Sequence, residues 1–503
     1  MFRSASLILI FLFISCSVSR VTYTAPKIEF RGVWIATVKN IDWPKNANDS
    51  SEKQKKDFIE ILDFYQNLNF NAAIVQIRTA GDAFYKTDLA PWSKYLTGVE
   101  GETPKDFNEP LEWMIAQTHK RGMEFHAWLN PYRATFDLDT MALSKEHDFY
   151  QHPNWMLKYG KKYYYNPGLP EVQQKLTNII EEVVSNYDVD AIHFDDYFYP
   201  YKIKGEIFND SLSFKKHGLQ NQNMEDWRRS NVDSLVKNVH KVIKKNKPWV
   251  QFGISPFGVW KNNSTDPKGS NTKAGQTTYE DLYADPLLWS REGWLDYLVP
   301  QAYWSMDYPP ASHRIITKWW ANNTKNTNLY IGNGTYKIKN NKDKAWKRKN
   351  EIPKQLVLAR LQQEINGNVF FSAKSLIGKH ENVSKTLKRK FYLYPSQNPI
   401  GLTKEKRKVN APTITSSQIQ NEYLNICITH QDNIPRFLHF YKATPKIPNQ
   451  KQLIRKQYLS VGQNSSCNRI QLTPKLRKKN IYIMVIDTYG NQSKVQPLTL
   501  KSD

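Results

Sequence analysis

At 503 residues the chain is too long for one ordinary domain; its length suits a barrel of roughly 300 residues or more with a small partner, and 40% hydrophobic residues supply a sizeable core. The net charge of +24 draws polyanions to the surface, but no nucleic-acid motif accompanies the clusters Lys244–Lys247, Lys404–Lys408 and Lys475–Lys479, so nucleic acid is set aside and a solvated, lysine-rich surface is the plainer reading. Acidic glycans and membrane surfaces remain as anionic partners, and the 15 Trp and 28 Tyr suit either ordinary packing or sugar clefts, whose ligands present apolar ring faces.

Residues 1–20 read as a lipoprotein-type signal peptide. Arg3 precedes the apolar run Leu7–Ile14, which is too short to stay across a bilayer, and Ser15 and Cys16 follow. Cys16 directly after Ser15 is similar to a bacterial lipoprotein signal, in which that cysteine is lipidated and becomes the first mature residue; Phe13 fits the pattern imperfectly, and simple secretion is the alternative. The expectation is an exported protein held to a membrane of the bacterial cell envelope through Cys16, in the periplasm or at the cell surface. The other two cysteines, Cys427 and Cys467, suit a disulfide in an oxidising compartment or two buried thiols equally.

Eight β-rich runs then alternate with helical segments: Arg31–Val38, Asn71–Arg78, Glu124–Pro131, Ala191–Phe198, Trp249–Gly258, Asp296–Trp304, Leu329–Tyr336 and Gly367–Leu376. Several are near-continuous apolar runs, as parallel strands covered by helices require. Between them, apolar residues recur at helical spacing, as in Phe58, Ile61, Leu62, Tyr65 and Leu68, in Val172, Leu176, Ile179, Ile180, Val183 and Val184, and in Val232, Leu235, Val236, Val239, Val242 and Ile243. Pro170 and Gly122 mark a helix start and a helix stop. Eight strands in alternation with helices predict an α/β fold, a (β/α)₈ TIM barrel over residues 27–402; a doubly wound sheet competes, but the count of eight and the lack of a Gly-rich dinucleotide turn favour the barrel. After the charged stretch Lys404–Lys408 the texture changes to short alternating runs, Leu424–Thr429, Phe437–Tyr441 and Asn480–Asp487, predicting a separable all-β sandwich over residues 411–503, like a fibronectin type III module.

In a TIM barrel the chemistry sits where the strands end. The fourth run ends Ala191-Ile-His193-Phe-Asp195-Asp196-Tyr197-Phe-Tyr199. Alternation puts Ile192 and Phe194 toward the helices and His193 and Asp195 toward the barrel mouth; the direction of Asp196 is left open because strand becomes loop there. Two adjacent acids beside a low-dielectric core are expensive unless paired or used, so Asp195 and Asp196 are the expected catalytic pair. Other strand ends add Arg78 and Asp82, Asn130, Tyr132 and Arg133, Ser255 and Phe257, and Gln301, Tyr303 and Trp304. With His193 and Tyr199 these amides, guanidiniums and aromatic rings suit a sugar site, although Arg78 with Asp82 also reads as a structural pair. No cofactor is expected: there is no Gly-x-Ser-x-Gly elbow or phosphate loop, and only His126, His193 and Asp195 are offered to a metal.

These segments resemble the glycosyl-hydrolase-like 10 family of bacterial exported proteins. The resemblance is carried by Arg31-Gly-Val-Trp-Ile-Ala-Thr-Val, Gln76-Ile-Arg-Thr-Ala-Gly-Asp-Ala-Phe-Tyr, Pro91-Trp-Ser-Lys-Tyr-Leu-Thr-Gly, His126-Ala-Trp-Leu-Asn-Pro-Tyr-Arg, His193-Phe-Asp-Asp-Tyr-Phe-Tyr-Pro, Gly253-Ile-Ser-Pro-Phe-Gly-Val-Trp, Pro300-Gln-Ala-Tyr-Trp and Gly367-Asn-Val-Phe-Phe-Ser-Ala-Lys, spanning about residues 27–380. It implies a TIM barrel and glycosidase activity on cell-wall or related amino-sugar glycans; one similar member cleaves peptidoglycan strands already stripped of their peptides. The fourth run also resembles the chitinase pattern Asp-Gly-x-Asp-x-Asp-x-Glu, but Tyr197 stands where that pattern has its acid. The acid role therefore shifts to Asp195 or Asp196, with Asp82 or Asp307 as a partner, or with the substrate's own acetamido oxygen as nucleophile. The alternatives are a glycan-binding lipoprotein that uses the barrel as a platform, and a polysaccharide deacetylase, which needs a metal.

Overall fold

The computed structural model describes residues 26, 28–403, 405–430, 435–442, 452–459, 464–477 and 480–498. The signal segment with Cys16, and parts of the Lys404–Lys408 and Lys475–Lys479 clusters, lie outside the described residues. Eight parallel strands close a barrel in sequential order: β1 (Phe30–Ile35), β2 (Ala72–Arg78), β3 (Glu124–Leu129), β4 (Ala191–Phe194), β5 (Gln251–Ile254), β6 (Tyr297–Leu298), β7 (Asn328–Asn333) and β8 (Ile365–Phe370), with β8 pairing back to β1. Each overlaps one expected run, and every strand but β2 stops earlier than its run does. Thus β4 ends at Phe194, and Asp195 and Asp196 stand on the loop that follows.

The helices follow from the apolar stripes. In α1 (Ser51–Asn67) the stripe Phe58, Ile61, Leu62 and Tyr65 is buried, and in α3 (Pro170–Asn186), after α2 (Pro110–His119), all six expected positions are. In α4 (Met224–Asn246) Val232, Leu235, Val236, Val239 and Ile243 are buried, while Val242 is only partly so. Ile192 and Phe194 of β4 join this outer core between strands and helices. The inner face is aromatic: Phe30, Trp34, Trp128, Tyr297 and Tyr330 fill the barrel, with Phe30 and Tyr330 stacked 4.1 Å apart. Gly253 in β5 makes room for this filling, because a Cβ there would lie 2.0 Å from the Tyr297 ring.

A hairpin, Met156–Tyr159 with Lys162–Tyr165, is inserted between β3 and α3 and reaches the barrel mouth. The C-terminal module holds two antiparallel sheets with a core of its own, including Leu424, Ile426, Leu438, Ile470 and Ile483. One sheet contains β9 (Thr413–Gln420), β10 (Tyr423–Thr429) and β13 (Ser465–Gln471). The other contains β11 (Pro435–Tyr441), β12 (Leu453–Tyr458), β14 (Ile481–Asp487) and β15 (Gln496–Leu498). Cys427 and Cys467 face each other in the β10–β13 register and form a disulfide.

The module packs against the end of the barrel where the strands begin. Tyr458 stacks on His119 of α2 at 3.5 Å and its hydroxyl donates to Asp188. Arg436 pairs with Asp188 and with Asp190, the residue before β4, and Lys456 donates to Asn398 (2.6 Å). These contacts, aromatic and polar, are distant from the barrel mouth. A chain ending at Leu402 is therefore expected to fold and keep its mouth intact, melting a few degrees lower, on a scale of about 2–4 °C per kcal/mol lost. Thermal unfolding of the two lengths measures this; a shortened chain that cannot fold would make the module part of the barrel's support.

Candidate active site

All eight strand ends contribute to a cleft of about 430 Å³ at the barrel mouth. Aromatic rings make its walls, among them Trp34, Trp128, Tyr197, Phe257, Tyr303 and Trp304. Asp195 and Asp196 are the only carboxylates among its described lining residues, and both are buried, at 5% and 2% exposure.

The two acids are held differently. Asp195 Oδ2 accepts from Trp128 Nε1 (3.2 Å) and Asn130 Nδ2 (3.0 Å), and its Oδ1 accepts from the Tyr197 amide (3.3 Å). Burial leaves its carboxyl raised above the usual range, and the Arg133 charge and these three donors limit that rise. Asp196 has less help. Burial and then the neighbouring Asp195 charge push its carboxyl up to about 7, against hydrogen bonds from the Tyr201 hydroxyl and Gln301. Thus one acid carries charge while its neighbour keeps its proton near neutrality, a division suited to general acid chemistry.

Below the pair lies a column of polar groups inside the aromatic barrel. Trp34 Nε1 donates to His193 Nε2 (3.2 Å), and Ser255 Oγ lies 3.1 Å from the same nitrogen. His193 Nδ1 and His126 Nδ1 both meet the Tyr297 hydroxyl, at 3.1 and 2.8 Å. His126 Nε2 reaches Glu124 Oε2 at 3.2 Å. One proton arrangement satisfies all of these: His193 donates from Nδ1 to Tyr297, Tyr297 donates to His126, and His126 donates to Glu124. Burial, and then His126, hold the His193 imidazole well below its usual range, so it is neutral. A tyrosine hydroxyl thus occupies the space between the two histidines offered above to a metal.

Of the expected substrate contacts, Arg133, Gln301, Tyr303 and Trp304 line the cleft. Arg133 lies flat over Tyr197, 4.3 Å from the ring centroid. Asn130 and His193 sit directly behind it, Asn130 on Asp195 and His193 beneath Trp34. Four others, Arg78, Asp82, Tyr132 and Tyr199, are not among the residues lining the cleft. Asp82 turns back to accept from the Thr79 and Ala80 amides, both at 2.9 Å, and closes the turn after β2. Arg78 is buried against the Asp82 carbonyl and the Tyr165 ring. Tyr132 is fully buried in the core between strands and helices, and Tyr199 packs there against Phe208 and Tyr283. Neither partner acid is available: Asp82 is spent on its turn, and Asp307 is an exposed residue paired with Arg314.

Sequence reasoning did not single out Lys39, Lys162, Tyr201, Tyr336, Lys337 or Phe371, which also line the cleft. Tyr201 was within reach, because it follows the paired acids by a few residues in an aromatic run. Lys39 and Lys162 arrive on a loop and a hairpin that no strand-end rule addresses.

The family model for glycosyl hydrolase-like 10 matches residues 29–348. The chain is 47% identical over 375 residues to the glycosyl hydrolase YngK of Bacillus subtilis, covering 74% of this chain and 73% of that one. It is 38% identical over 364 residues to the glycosyl hydrolase DigH of Escherichia coli, covering 68% and 82%. Among solved structures, the PgaB (BpsB) glycoside hydrolase domain of Bordetella bronchiseptica aligns over 72% of this chain and 99% of that one, with a TM-score of 0.47 and 11% identity, too distant a likeness to carry an argument.

Proposed function

Since the chain belongs to the glycosyl hydrolase-like 10 family, we propose that it is a glycoside hydrolase cleaving O-glycosidic bonds in a bacterial cell-wall or related amino-sugar polysaccharide. The observation that carries this reading is the Asp195–Asp196 pair, buried on the floor of an aromatic cleft with one carboxyl pushed up to about 7. Asp196 gives its proton to the departing glycosidic oxygen. Asp195 stays charged, and its oxygens face the positive charge that builds on the sugar as the bond breaks.

Two-carboxylate mechanisms set their acids on both sides of the scissile bond, about 5–5.5 Å apart for retention and about 6.5–9.5 Å for inversion. Neighbouring aspartates on one loop supply one side, and no third carboxylate lines the cleft among the described residues. This favours a substrate acetamido oxygen as the nucleophile, with Asp195 orienting it. A platform that merely binds glycans would use the aromatic walls but gain nothing from two acids costly to bury.

The exported, lipid-anchored location belongs to the same proposal. It rests on the Leu7–Ile14 run and Cys16, and a mature N-terminal mass without acyl chains would refute the anchor. The C-terminal module is proposed to be fibronectin type III-like, on the strength of its two antiparallel sheets.

The main experiment measures hydrolysis of peptide-free peptidoglycan strands and other amino-sugar polymers. Asp195→Asn and Asp196→Asn are each expected to cut turnover by about 10² or more with melting temperatures near that of the native protein. Because the acid must be protonated, the native rate falls as pH rises through about 7. Asp195→Asn removes the charge that helps hold that proton, so the residual activity falls at lower pH. Near-normal rates in both variants would reject the assignment.

A further inference from the structure

Four cations line the cleft, Lys39, Arg133, Lys162 and Lys337, against two carboxylates of which one holds its proton near neutrality. Lys337 is engaged elsewhere, donating to the Tyr303 carbonyl (2.6 Å). The other three form no ion pair within 4 Å among the described residues, though the Arg133 charge reaches Asp195. Lys39 comes from the loop after β1, Arg133 from the segment after β3, and Lys162 from the inserted hairpin. Three separate segments thus bring like charges together at one place. Their mutual repulsion registers on Lys162, whose ammonium is lowered by burial and then by Arg133 and Lys39. Arg133 is 5% exposed, and its Nε finds no hydrogen-bond partner among the described residues although it is buried.

Three clustered cations against one charged carboxylate leave an excess of positive charge that an arriving anion offsets, and a guanidinium beside two ammoniums suits an oxyanion. We infer that Lys39, Arg133 and Lys162 form a carboxylate subsite, which seats the acidic group of a charged sugar beside the bond to be cleaved. This rests on the glycosidase reading and narrows it: the preferred glycan is an acidic one. An amino-sugar glycan of the cell wall supplies such a group through the free lactyl ether of its muramic residues, and a polyuronate supplies it on the sugar ring.

The test compares peptide-free wall strands, the same strands with their carboxyls reduced to alcohols, neutral chitin oligosaccharides and a polyuronate, by steady-state hydrolysis and by calorimetric binding. The native protein should show a KM about tenfold or more lower for the carboxylated strands than for the reduced ones, a difference that shrinks as salt rises. In the double variant Lys39→Gln/Lys162→Gln the ratio should fall toward one with melting temperature retained, while Lys162→Arg should keep it. Cleavage of the polyuronate in preference to the wall strands would keep the subsite and move its carboxylate to the sugar ring. Equal KM for carboxylated and reduced strands, or a preference that survives the double variant, would overturn the subsite while leaving the glycosidase reading in place. If no glycan is hydrolysed, the glycosidase reading fails; calorimetric binding that needs both the carboxylate and the two lysines would then still support the subsite, and binding indifferent to them would overturn it.

Discussion

Two carboxyl groups on consecutive residues, both nearly shut off from water, cannot both ionise at neutral pH without a large cost. The surrounding structure decides which of them gives way. Asp195 takes the donors: an indole from β3, an amide just past it, its own loop backbone and the Arg133 charge nearby. Asp196 is left with a tyrosine hydroxyl, a glutamine and its neighbour's charge, so it keeps the proton. The division of labour in the cleft follows from this asymmetry, because a group that donates a proton and a group that stabilises positive charge must differ in protonation at the same pH.

The barrel is filled beneath the pair. Its interior holds stacked aromatic rings and a hydrogen-bonded column running from Trp34 through His193, Tyr297 and His126 to Glu124. Every polar group in that column has a partner, and its one carboxylate, Glu124, held below the usual range by His126, stands at the end away from the acids. Gly253 is the permissive element, since any side chain there would collide with the Tyr297 ring that links the two histidines. The C-terminal module acts at the opposite end, over Asp188 and Asp190, and leaves the cleft untouched.

Much of this was legible in the sequence because it rests on local periodicity. Strand and helix stripes gave the eightfold barrel, and the switch from Phe194 to Asp195-Asp196 marked the place where apolar packing stops. The alternation rule also put Ile192 and Phe194 outward and His193 inward, as found. Strand-end position alone did not say that Arg78, Asp82, Tyr132 and Tyr199 would lie outside the cleft lining. There the chain turns back on itself, so polar atoms satisfy neighbouring backbone and aromatic rings re-enter the layer under the helices. Lys39 and Lys162 were hidden for the converse reason: their place in the cleft depends on how a loop and a hairpin fold over the barrel mouth, which no period records. The pairing of Cys427 with Cys467 was likewise undetermined until the β10–β13 register set them opposite each other.

Asp196 holds a proton near neutrality because Asp195 beside it does not. Carbon-13 NMR of aspartate carboxyls, followed through a pH titration of the native protein and its two Asp→Asn variants, tests it without reference to any substrate. One aspartate resonance should titrate at about 7, be absent in Asp196→Asn and move to lower pH in Asp195→Asn. A native spectrum in which both carboxyls of the pair have ionised by about pH 5, close to the ordinary aspartate range, would contradict it.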